Sequence, residues 1–176
     1  MVDAELAKSI RSIPDFPKNG IVFRDITTLL KDRLAFNQAI DIFYEHYRAK
    51  NIDKIVSVES RGFIFGAPLA YTLGTGFVPV RKPNKLPAET IREDYQLEYG
   101  TDSLELHKDA ITDGERVLIV DDLLATGGTV VAATKLVEKL GGQVIGLAFL
   151  IELSFLKARE RLSSYDVFSI VTYDTE

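Results

Sequence analysis

The stretch VLIVDDLLATGGT, Val117–Thr129, runs four apolar residues into two adjacent acids and then into a small, glycine-bearing turn. RVLIV reads as a short strand, and GTVVAATKLVEKLGG, which overlaps the end of the stretch, reads as a helix. A strand handed to a helix through such a loop is the repeating unit of an α/β sheet. The loop also poses an electrostatic conflict. Ala125, Thr126, Gly127, Gly128 and Thr129 can offer consecutive backbone N–H groups and hydroxyls to a phosphate at a helix start, yet Asp121 and Asp122 beside them would repel it.

The same alternation extends in both directions. QVIGLAFLIEL (strand), FLKARERL (helix) and VFSIVTY (strand) follow; KIVSVES (strand), FIFGAPLAYTLG (helix closed by Gly74) and FVPVR (strand) precede. Asp32 can cap a helix over Arg33 to Lys50, on which Phe36, Ile40, Phe43, Tyr44 and Tyr47 share one face. The expected fold is α/β, a mainly parallel twisted sheet flanked by helices. Between Arg81 and Glu115 the alternation lapses. Two period-2 runs, YQLEY and SLELH, flank Gly100, so residues 82–107 are expected to form a β-hairpin flap standing off the sheet.

A chain of 176 residues fits one domain, able to remove roughly 70% of its unfolded surface from water. Hydrophobic residues at 46% and charged residues at 27% lie near the globular average, which with no membrane-length apolar stretch points to a soluble protein. MVDAELAKSIRSIPDFP carries acids early and has no apolar block, so no leader is read and a cytoplasmic location is expected. Without cysteine there are no disulfides, thiolate nucleophiles or cysteine-held metals. His46 and His107 fit no zinc spacing, and a net charge of −5 argues against general nucleic-acid binding.

Ligands of parallel sheets sit beyond the carboxyl ends of the strands, and three strands here end in chemically loaded turns. These are Glu59-Ser60-Arg61-Gly62, the cationic Arg81-Lys82-Pro83-Asn84-Lys85, and Asp121 through Thr129. There is no Gly-Lys for a Walker loop, and Gly74-Thr75-Gly76 follows a helix and lacks the third glycine of a dinucleotide fingerprint. A sugar phosphate resolves the conflict at Asp121 and Asp122. Its phosphate suits the amides, its vicinal hydroxyls donate to carboxylates, and an oxocarbenium-like anomeric centre is stabilised by negative charge. Paired acids at a strand end are also often solvated or capping, and successive side chains diverge, so one of the two can be structural.

VLIVDDLLATGGT resembles the phosphoribosyl-pyrophosphate motif of the type I phosphoribosyltransferases, and its LLATGGT ending resembles their adenine-specific branch. FPKNGIVFRDIT, VESRGFIFGAPLA, VRKPNKLPAET, YQLEYG and LELHKDAI carry the resemblance across nearly the whole chain, in order. It implies transfer of a phosphoribosyl group from phosphoribosyl-pyrophosphate to adenine, giving AMP and pyrophosphate. It places Asp121 and Asp122 on the ribose hydroxyls and Ala125 to Thr129 on the 5-phosphate. Arg61, Arg81, Lys82, Lys85 and Tyr99 fall to the pyrophosphate, with Gly62 permitting the close approach of the Arg61 turn. Residues 13–30 become the base-pocket segment, in which Phe23 and Leu124 stack on the purine and main-chain groups around Val22 and Arg24 read its edge. On sequence grounds alone Val22, Phe23 and Arg24 would be core. Glu98 becomes the flap carboxylate that exchanges a proton with purine N7. The resemblance further implies Mg²⁺ held by substrate oxygens and water with little direct protein ligation, and a homodimer.

A sister transferase acting on hypoxanthine, guanine or xanthine would share the Asp121 to Thr129 loop, and so would a non-catalytic phosphoribosyl-pyrophosphate sensor. The residues before Pro17 are too few for a helix-turn-helix, and a flap containing Glu98 favours an enzyme.

Overall fold

The computed structural model describes residues 4–97 and 100–175. The N-terminal segment forms α1 (Ala4–Lys8), β1 (Arg11–Ile13), β2 (Phe23–Asp25) and α2 (Thr27–Lys31), followed by α3 (Arg33–Tyr47), β3 (Lys54–Val58), α4 (Arg61–Leu73) and β4 (Gly76–Val80). Then come β5 (Thr90–Leu97), β6 (Gly100–His107), β7 (Arg116–Leu124), α5 (Gly128–Lys139), β8 (Gln143–Leu153), a 3₁₀ turn (Ser154–Leu156), α6 (Ala158–Arg161) and β9 (Val167–Tyr173). Five strands make a parallel sheet in the order β4-β3-β7-β8-β9.

Alternate side chains of each inner strand enter different cores. Ile55, Leu118 and Val120 pack with Phe43 of α3 and Phe65 and Leu69 of α4. Val56, Val117 and Ile119 pack with Leu136 and Val137 of α5. Burial on both faces is why these strands read as continuous apolar runs.

Asp32 caps α3 as its sequence suggests, accepting from the Leu34 amide at 2.9 Å and the Ala35 amide at 3.3 Å. Asp32→Ala is expected to cost about 1 kcal/mol, seen as a lower urea midpoint with an unchanged slope. The helix stops at Tyr47, short of the expected Lys50, and α4 ends at Gly74 with φ of 69°.

Three expectations are corrected. β7 continues through Asp121 and Asp122 to Leu124, because β8 runs on beside it and pairs Asp121 with Phe149 and Leu124 with Glu152. FLKARERL does not form one helix. Lys157 adopts φ of 55°, and Arg159 donates to buried Glu152 through Nε and Nη2, each at 2.7 Å, and to the Val167 carbonyl at 3.1 Å. Those bonds tie the segment to β8 and β9. The β5–β6 hairpin, finally, does not simply stand off the sheet. Leu104 and Leu106 are fully buried, Glu93 sits between Lys135 and Lys139 of α5 at 2.9 and 2.5 Å, and a bridge between Arg81 and Glu105 joins the hairpin to the end of β4. Apolar burial on one face outweighs the polar composition of the other.

Candidate active site

The sheet order places β4 on one side of β3 and β7 on the other, so the chain reverses its direction of travel between β3 and β7. In open parallel sheets that reversal leaves a crevice beyond the strand ends. A cavity of about 410 Å³ lies there, lined by Val58 to Arg61 at and beyond the end of β3 and by Asp121 through Gly127 and Thr129 at and beyond the end of β7. Lys82 and Tyr95 reach it from the cationic turn and the hairpin. Of the residues singled out in the sequence, it brings together Arg61, Lys82, Asp121, Asp122, Leu124, Ala125, Thr126, Gly127 and Thr129.

The two acids occupy different environments. Asp122 is 6% exposed, and its Oδ2 accepts from Arg61 Nε at 2.6 Å. Asp121 is half-buried, and its Oδ1 accepts the Asp122 amide at 2.9 Å. Burial, then the charge of Asp122, push the Asp121 carboxyl well above the usual carboxylate range. Burial also raises Asp122, against the pull of Arg61. A group offering hydrogen-bond donors or positive charge relieves both. Gly62 serves this pair: a Cβ there would stand 2.8 Å from Asp121 Oδ1 and 3.1 Å from the Val120 carbonyl. Its missing side chain makes room for an acid of β7. Gly127, the N-cap of α5, has φ of 83°, a left-handed conformation that favours glycine. It turns the loop so that the first turn of a 12-residue helix opens on the cavity, while Gly128, the first helical residue, is not part of the lining.

The Glu59–Ser60 peptide is cis, a feature the sequence left open. Glu59 organises the cationic turn, its Oε2 accepting from Arg81 Nε at 2.7 Å and its Oε1 from the Lys82 amide at 2.9 Å. Burial would raise the Glu59 carboxyl, but these bonds outweigh it and hold the group below its usual range. Arg81 also donates to the Lys85 carbonyl at 3.0 Å, and neither Arg81 nor the exposed Lys85 lines the cavity. Lys82 Nζ donates to Tyr95 Oη at 2.8 Å and to Asp102 Oδ2.

Val22, Phe23 and Arg24 are half-buried rather than core and lie outside the cavity lining. Phe23 packs edge-on against Phe16 at 5.3 Å, and the Arg61 guanidinium lies 5.7 Å from its ring centroid, so Arg61 spans from Phe23 to Asp122. The Arg24 side chain points to Ser12 at 2.5 Å and over Tyr173 at 3.9 Å. Beneath them Asp25 fixes the segment, accepting from Arg11 Nη2 at 2.5 Å and from the Thr27 amide and hydroxyl at 2.9 Å each. Those bonds, Arg11 foremost, hold its carboxyl at about 2. Glu98 and Tyr99 lie outside the described residues. Among the described residues no three His, Cys, Asp or Glu cluster as a metal site. Sequence reasoning missed the cavity-facing Tyr95 and the organising acids Glu59, Asp25 and Asp102. Of these, only Glu59 lay in a turn already marked as loaded.

A five-stranded parallel sheet with a hairpin, and paired acids leading into a helix-start loop at its switch point, define a phosphoribosyl transferase domain, and residues 25–175 match the family model of that description. An adenine phosphoribosyltransferase of Acidobacterium capsulatum is 61% identical over 173 residues, 98% of this chain and 96% of the relative. The crystal structure of the adenine phosphoribosyltransferase of Thermoanaerobacter pseudethanolicus superposes with a TM-score of 0.93 at 58% identity, covering 96% of this chain and 98% of that one. That of Saccharomyces cerevisiae, complexed with an imino-altritol bisphosphate and adenine, gives 0.89 at 44% identity over 94% and 96%. The chain belongs to the adenine phosphoribosyltransferase family.

Proposed function

We propose that the chain transfers the 5-phosphoribosyl group of phosphoribosyl-pyrophosphate to adenine, giving AMP and pyrophosphate, a purine salvage step. The observation that carries this reading is the single cavity that sets Asp121 and Asp122 beside the α5 N-terminus, with Arg61 and Lys82 on its wall. Residues 1–176 act as one phosphoribosyltransferase domain, with 13–30 as base pocket and 82–107 as flap.

The loop Ala125 to Thr129 takes the 5-phosphate on its amides and hydroxyls. Asp121 and Asp122 take the ribose hydroxyls and stabilise positive charge as the bond from C1 to pyrophosphate breaks and the bond to purine N9 forms. Their raised carboxyl pKa values support this role, because donors from the sugar offset the cost of charge in a buried site. Arg61, Arg81, Lys82, Lys85 and Tyr99 address the pyrophosphate. Leu124 forms one wall for adenine and Phe23 the other, with main-chain groups of Val22 and Arg24 reading the purine edge; the outward turn of the Arg24 side chain supports a main-chain role. Glu98 exchanges the proton at purine N7.

Mg²⁺ belongs to the same proposal. The donor set fits a cation that enters with its ligands, since the cavity offers three carboxylates, of which Asp122 is already bonded to Arg61 and Glu59 to Arg81, and a hard octahedral ion needs more free oxygens than that. Asp121 and Asp122 are the residues nearest to such a role, through water or sugar oxygens, and the ion's chemistry is neutralisation of the pyrophosphate leaving group. A homodimer is proposed as well, supported by apolar surface at Leu34 and Tyr71, 68% and 88% exposed, and tested by sedimentation. Among the described residues no helix is long and apolar enough to cross a membrane, and a cytoplasmic location is part of the proposal.

Assay of AMP formation from adenine and phosphoribosyl-pyrophosphate tests the reading. Turnover should require Mg²⁺, and adenine should outpace hypoxanthine, guanine and xanthine by at least about 10³-fold, since those bases invert the donor and acceptor at the edge and leave main-chain groups unpaired. Equal turnover of guanine would overturn the base assignment, and donor binding without turnover of any purine would favour a sensor.

A further inference from the structure

Asp102 is a charged hairpin residue that the transfer reaction does not use, yet it bonds a cation on the cavity wall. Its Oδ2 accepts from Lys82 Nζ and from Tyr95 Oη, the latter at 3.2 Å, and its Oδ1 accepts the Ser103 amide at 2.7 Å. Tyr95 and Asp102 stand directly opposite each other in the β5–β6 register, so strand pairing itself creates the notch that holds the ammonium. The other end of Lys82 is fixed too, by its amide on Glu59 and by the adjoining bridge from Arg81 to Glu105. A free lysine stem otherwise has rotamer entropy to lose on meeting a ligand.

We propose that Asp102 is a positioning residue for the phosphoribosyl donor: with Tyr95 it holds the Lys82 ammonium at the cavity wall, poised to donate to a pyrophosphate oxygen. The inference rests on the reading that Lys82 meets pyrophosphate. Lys82 and Tyr95 line the cavity whereas Asp102 does not, so the carboxylate stands behind the cation and out of the ligand's space. An ammonium has three donors, and Asp102 and Tyr95 take two of them, which leaves one for the donor substrate. Burial works against the Lys82 charge, but the bonds to Asp102 and Tyr95 outweigh it and raise its pKa, so the group stays cationic beside the cavity. The register of the hairpin thereby becomes part of donor recognition.

The test is steady-state kinetics of Asp102→Ala, Asp102→Asn, Lys82→Ala and the Lys82→Ala/Asp102→Ala double variant, each checked for an unchanged circular dichroism spectrum. Asp102→Ala should raise KM for phosphoribosyl-pyrophosphate about tenfold, with kcat and KM for adenine changed less than about twofold. Asp102→Asn keeps an acceptor and should lie between Asp102→Ala and the parent. In the Lys82→Ala background, removing Asp102 should add nothing. An unchanged donor KM in Asp102→Ala, with a raised one in Lys82→Ala, overturns the positioning role alone. A lowered donor KM in Asp102→Ala also overturns it, by making Asp102 a competitor for the ammonium. An unchanged donor KM in Lys82→Ala overturns the reading of Lys82 beneath it. Loss of fold in Asp102→Ala shifts the decision to Asp102→Asn, where a donor KM equal to the parent's overturns the proposal.

Discussion

Replacing Asp121 and Asp122 together by Asn should lower AMP formation by about two to three orders of magnitude, the scale of losing electrostatic stabilisation at a reacting centre. Asn keeps the shape and an acceptor for the Asp122 amide, so the loss would report charge. The single Asp121→Asn variant should melt at a higher temperature than the parent when both are heated without substrate at neutral pH. The sign follows from the raised carboxyl pKa of Asp121. The native state binds that proton more tightly than the unfolded chain does, so stability is complete below the ordinary value of 3.8 and falls as pH rises through the folded value. An uncharged Asn escapes that penalty. Asp122→Asn should gain less, because it also removes the carboxylate partner of Arg61. Full activity of the double variant would remove the acids from the ribose site, and a lower melting temperature for Asp121→Asn would contradict the electrostatic account.

Gly66→Ala should destabilise the fold by about 3 kcal/mol or more, at the upper end of overpacking. A Cβ at Gly66 would lie 1.9 Å from Ser57 Oγ, 3.0 Å from Ser57 Cβ and 3.2 Å from Phe77 Cε2, where α4 crosses β3 and β4. Ser57 is fully buried, and its hydroxyl has no partner among the described residues. Ser57→Ala alone should therefore be neutral or slightly stabilising, and should recover part of the Gly66→Ala loss when the two are combined, beyond simple addition. Urea denaturation of the four proteins measures this cycle, and a Gly66→Ala cost below about 1 kcal/mol would mean that the helix can move away from the strand. Such movement would itself be visible in activity, since Arg61 and Gly62 open the same helix.

The parts of the fold that could be read in the sequence are those whose residues answer to local rules. β3, β7, β8 and β9 are apolar runs because both sheet faces are covered, and Asp32 and Gly74 mark helix ends by side-chain and backbone chemistry. β1 and β2 have three residues each, too few to show a period, and α6 has four. Within the site, Asp121 to Thr129 are contiguous and legible together. The acids that organise the cations are not, because Glu59 meets Arg81 across 22 positions and Asp102 meets Lys82 across 20. Such pairings exist only once β4, the hairpin and the end of β3 have converged.

The chain supplies a carboxylate to three of the four cations of the proposed pyrophosphate group: Asp122 to Arg61, Glu59 to Arg81 and Asp102 to Lys82. These acids act as resident counterions. A small singly charged anion gains little by approaching, because it shares or replaces a partner of equal charge that is already tethered and costs no translational freedom. In the proposed site a multiply charged phosphate ester with sugar hydroxyls would meet Asp121, the helix-start amides and several cations at once, and so would outcompete the internal acids where a chloride ion would not. On that reading, selectivity against small singly charged anions would reside in the protein's own negative charges.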